Sequence, residues 1–182
     1  MLDERAAELE VALVFEYGGV ETEFERFYEG IELHHLVDDP MYLALPPGHR
    51  IAHKARVRLQ DVADETWIQE SGNHSWCGRF HERACQSAGF MPKVGFRSDD
   101  YNVVQGLIAA GVGISLVPGL ALTNVREDIV IRSLGRNPPA RRIAAATLAG
   151  RYRSPATEAM LAILEEVAAR FQLPAGAAVA AA

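Results

Sequence analysis

Four residues of this 182-residue chain invite a metal: His74, Cys77, His81 and Cys85, spaced three, four and four apart. On a helix that spacing lines them along one face, and imidazole and thiolate are ligands that zinc favours. Geometry limits the idea. A helix rises about 1.5 Å per residue and zinc bonds are ~2.0–2.3 Å long, so four ligands over more than two turns cannot close on one ion. A site would combine one adjacent pair with residues from elsewhere, such as His34 and His35. Buried cysteines and partly exposed histidines account for the same letters. No metal and no cofactor is assigned.

Binding chemistry is better represented. The loop SGNHS, residues 71–75, places Ser71, Asn73 and Ser75 just ahead of a predicted helix. The free N–H groups of a first helical turn attract a carboxylate or similar anion. The same residue types also cap helices with no ligand present. A second predicted helix start, DDYN at 99–102, carries Asp100 and Asn102, which either cap that helix or hydrogen-bond a ligand. Glu16 and Tyr17 follow a predicted strand. Tyr17 offers an apolar face and one hydroxyl, the mixture that ligand pockets use. Catalysis has little support: no G-x-S-x-G elbow, HExxH or P-loop occurs, and GISLV at 113–117 has Val117 where the elbow needs glycine.

Composition bounds the rest. Apolar residues make up 49% of the chain, enough for a proper core. The formal charge of -6 argues against a grip on nucleic-acid phosphates by this chain itself. Two cysteines are too few for a disulfide scaffold and suit a reducing compartment. No leader-like start and no run of ~20 apolar residues is visible, so a cytoplasmic location away from membranes is expected.

Short apolar runs at 9–15, 31–36, 41–45, 66–69, 94–97, 112–117, 129–134 and 142–148 read as strands. Helices are predicted over 76–88, closed by Gly89, over a segment capped by Ser98 or Asp99 and closed by Gly111, and from Ser154-Pro155 to about Phe171. Residues 59–63 suit one helical turn. Strands alternating with helices argue for an α/β fold with a mostly parallel sheet.

The glycines of GVG, 111–113, match half of a dinucleotide fingerprint, but Leu116 stands where its third glycine belongs. The helix also precedes the glycines, so its anion-repelling end would face the phosphates. That reading fails. A helix–GxG–strand–Pro unit instead makes a sharp return into a sheet, and the segments around it carry a resemblance. LEVALVFEY (9–17), DDPMYLALPPGHRIA (38–52), VRLQDVADETWIQ (57–69) and ACQSAGFMPKVGFRSDDYNVVQGLIAAGVGISLVP (84–118) follow one another in order. Over residues 9–171 the chain resembles the effector-binding domain of LysR-type transcriptional regulators.

The resemblance implies a two-lobed α/β fold similar to type II periplasmic binding proteins, with lobe I incomplete and a small-molecule cleft between lobes. It places residues 1–39 and 130–173 in lobe I, 40–129 in lobe II, and leaves 174–182 as a disordered tail. Hinge strands are expected near 41–45 and 129–134. It favours Ser71, Asn73 and Ser75 as effector contacts, with Asp100, Asn102, Tyr17 and Glu16 beside them. It implies a small polar or anionic metabolite as partner, homodimers or tetramers, and DNA contact only through an N-terminal helix-turn-helix domain not found in these residues. An open sheet edge and poor solubility are expected of the truncated lobe. A solute-binding protein of a transporter, or an enzyme on the same fold, is the alternative.

Overall fold

The computed structural model describes residues 10–17, 29–70, 76–135 and 137–171. Among them the order is β1 (Ala12–Tyr17), β2 (Ile31–Leu45), a 3-10 turn (Leu59–Val62), β3 (Thr66–Gln69), α1 (Trp76–Ser87), β4 (Lys93–Arg97), α2 (Tyr101–Ala109), β5 (Ser115–Pro118), a second 3-10 turn (Gly119–Asn124), β6 (Val130–Ser133), β7 (Ala140–Leu148) and α3 (Pro155–Arg170). They divide into two compact units, one running up to Asp39 and resuming at Arg141, the other spanning Pro40 to Ala140. The first unit resumes at Arg141, eleven residues beyond the return at residue 130 that the sequence suggests. β6 pairs with β2 from Tyr42↔Ser133 to Leu45↔Val130, and that pairing holds it in the second unit. The tail at 174–182 lies outside the described residues.

In the first unit β1 runs antiparallel to β7, from Ala12↔Ala146 to Tyr17↔Arg141, and β7 neighbours β2. The sequence predicted a β1 buried on both faces of a parallel sheet. Instead Leu13 and Phe15 are 54% and 42% exposed. An unbroken apolar run reads the same whether or not its outward residues find cover, and here they do not. Helix α3 begins as predicted, with Ser154 Oγ accepting from Thr157 N–H at 3.2 Å and Pro155 in the first turn. It buries Leu161 and leaves Met160, Ile163 and Val167 in solvent. Among the described residues no helix is long and apolar enough to cross a membrane.

Strand β2 is one 15-residue strand where the sequence suggested two short ones. The apparent break is Asp38-Asp39-Pro40, two charges and a residue without an N–H. A residue before proline is biased toward extended backbone, which continues a strand. The charge of Asp39, fully buried, is met by Arg141 on β7, whose Nε and Nη2 both donate to Asp39 Oδ2 at 2.9 Å. The Arg141 guanidinium also lies 4.6 Å from the centre of the Phe15 ring. Just across the division, Met41 N–H donates to Pro139 O at 2.8 Å.

In the second unit β2 is flanked by β6 and by β5, both antiparallel, the latter from Met41↔Pro118 to Ala44↔Ser115. Strands β3 and β4 are parallel, from Thr66↔Lys93 to Gln69↔Arg97, with a bulge after Trp67. Trp67 bridges in parallel to Ile114. The mostly parallel sheet expected from strand–helix alternation is thus confined to β3, β4 and that bridge among the described residues. One core cluster gathers Ala44 and Ile68 with Val104 and Ile108 of α2 and with Val117, Leu122, Ile129 and Ile131.

The two glycines of GVG have different tasks. Gly111, at φ +73°, closes α2 in the left-handed region, and the N–H groups of Gly111 and Val112 donate back to Ile108 O and Leu107 O at 2.9 and 3.0 Å. Gly113 permits a close approach. A Cβ there would stand 2.7 Å from the Thr66 carbonyl oxygen. That approach lets Ile114 N–H reach Thr66 O at 2.9 Å and Ile68 N–H reach Ile114 O at 2.8 Å. The predicted strand at 112–117 accordingly starts late, at Ser115.

Gly113→Ala is expected to lower stability in urea denaturation by about 1–3 kcal/mol, because the obstructing atom is backbone. Gly106→Ala, inside α2 with nothing within 4 Å of the added carbon, is expected to be neutral or to gain up to about 1 kcal/mol. Arg141→Met alone should cost about 3–5 kcal/mol by stranding the Asp39 charge. Adding Asp39→Leu should recover most of that loss in a double-mutant cycle.

Candidate functional site

Parallel pairing brings the C-terminal ends of β3 and β4 together, so Gln69 and Arg97 sit side by side in register. Each strand then turns into a helix, β3 into α1 and β4 into α2. Open α/β sheets hold ligands beyond this edge, where helix N-termini gather. Ser98 N–H donates to Gln69 O at 2.9 Å, and Arg97 Nη1 donates to Glu70 O at 3.1 Å, so the edge is stitched across both strands.

The two helix starts differ in charge. Asp100 caps α2, its Oδ1 accepting from Asn102 N–H at 2.7 Å, while Ser98 Oγ accepts from Asp100 N–H at 3.2 Å. The cap is Asp100 and not Ser98 or Asp99 as predicted, because its carboxylate accepts from the Asn102 N–H of the first turn. Asp100 and Asn102 are both exposed. The Asp100 carboxylate answers the positive end of the α2 dipole. The first turn of α1 carries no acidic residue, and neither does that of α2 beyond its Asp100 cap.

Ser71, Asn73 and Ser75, with His74, lie outside the described residues, as does the side chain of Tyr17. Glu16 is half-buried on β1, opposite Arg142, in the first unit, whereas Asp100 and Asn102 belong to the second.

Gln69 was not singled out by the sequence. It is 1% exposed, and neither Oε1 nor Nε2 of its amide has a hydrogen-bond partner. Trp67 Nε1, two residues back, is buried and unpartnered as well. Each such group costs about 1–3 kcal/mol relative to a satisfied one. The neighbouring Ile68 carbonyl, by contrast, accepts from Ser115 Oγ at 2.9 Å. Only the position of Gln69 at the end of β3, one residue ahead of the SGNHS loop, could have flagged it.

The candidate metal ligands on α1 are buried. Cys77 Sγ is 3.8 Å from His81 Nε2, and Cys85 lies two turns further along the helix. His34 and His35 belong to the first unit, where His34 Nε2 contacts Thr147 Oγ1 at 3.4 Å and His35 Nε2 contacts Asp38 at 3.1 Å. Among the described residues no three His, Cys, Asp or Glu side chains are gathered for an ion. Burial, with Glu82 nearby, pushes the Cys85 thiol up to about 12. Cys85 should therefore resist iodoacetamide at pH 8 in the folded protein and react only on unfolding, as read by mass spectrometry of the digested chain.

Comparison with known proteins shows the family. A family model described as the LysR substrate binding domain matches residues 5–169. The HTH-type transcriptional regulator AlsR of Bacillus subtilis is 30% identical over 97 residues, covering 52% of this chain and 32% of AlsR, so the chain spans about a third of that relative. Among solved structures, the regulatory domain of CcmR from Synechocystis in complex with 2-PG superposes with a TM-score of 0.73 at 22% identity, over 91% of this chain and 76% of that one. The effector binding domain of QuiR in complex with shikimate gives 0.71 at 20% identity, over 92% and 76%. With a match over nearly its whole length, the chain belongs to the LysR substrate-binding domain family, the effector-binding part of LysR-type transcriptional regulators.

Proposed function

We propose that this domain senses a small polar or anionic metabolite at the C-terminal edge of β3 and β4, with the anion drawn to the N-terminus of α1. The observation that carries the reading is the parallel pairing that brings Gln69 and Arg97 together at the C-terminal edge of β3 and β4, with no acid in the first turn of either helix that follows. The small molecules held by CcmR and QuiR, 2-PG and shikimate, support the size class. Ser71, Asn73 and Ser75 would add hydroxyl and amide contacts from the loop, and Asp100 and Asn102 would flank it.

The molecule is held and not transformed. Binding would alter the regulator's hold on DNA only if the effector favours one of its conformations over another. DNA contact would belong to a separate helix-turn-helix domain of a cytoplasmic homodimer or tetramer, since a chain of net charge -6 is poorly suited to phosphates.

A thermal-shift screen of small carboxylic and phosphorylated acids tests the reading. At a concentration near 100 times Kd, a true effector should stabilise by about 2.7 kcal/mol and raise Tm by several degrees. Arg97→Ala should weaken binding of the same acid. If no acid moves Tm, or only cations and neutral aromatics do, the reading fails.

A further inference from the structure

We draw no further inference here: the strongest candidate, the apolar surface that β1 and α3 leave exposed on the first unit at Leu13, Phe15, Met160, Ile163 and Val167, carries nothing because nothing in the structure shows what covers it.

Discussion

The buried pair of Asp39 and Arg141 is the constraint on which the arrangement of strands depends. Both residues stand where the chain passes between its two units, one on each crossing strand. A buried ion pair seldom adds much net stability, because desolvation cancels most of the attraction. Its value lies in what it forbids. A slip of β7 by one residue would turn Arg141 to the opposite face and leave two uncompensated charges in the interior. The Phe15 ring over the guanidinium ties β1 to the same register. With the charge answered, Asp38-Asp39-Pro40 can stay extended, and β2 continues as a single strand.

Strand β3 shows a second asymmetry. On its α2 side the packing is closed: Ile68 sits in the apolar cluster, its carbonyl is satisfied by Ser115, and Gly113 lets the next chain segment come within backbone hydrogen-bonding distance. On the same strand the Trp67 N–H and both ends of the Gln69 amide have no hydrogen-bond partner. Folded proteins rarely leave such groups unanswered without a reason. The dry face fixes the position of the strand.

Much of this was legible in the letters. The helix starting at Ser154-Pro155, the left-handed Gly111, and the turn from α2 into β5 each follow from residues with one strong conformational preference. The family pattern in DDPMYLALPPGHRIA and in the GVGISLVP segment fixed the architecture. What escaped was non-local. Nothing near Asp39 reveals that Arg141, 102 residues later, will neutralise it, so the strand looked broken. Nothing in LEVALVF shows which residues will lack a neighbour, so its letters suggest a strand with two covered faces. At the site, Asp100 and Asn102 were chosen for their place at a helix start, which local sequence shows. Gln69 gives no such signal, because a glutamine in a strand reads as exposed until the fold buries it.

The apolar residues left in water on β1 and α3 have a thermodynamic consequence. Leu13, Phe15, Met160, Ile163 and Val167 are hydrated in the folded state and in the unfolded chain, so unfolding adds less new apolar hydration there than burial would. Heat capacity grows with newly exposed apolar area, at about 0.45 cal/mol/K per Å². This chain should therefore have a smaller heat-capacity increment than one of equal length with those faces covered. Its stability curve would be broader and flatter, with enthalpy and entropy drifting less between cold and warm.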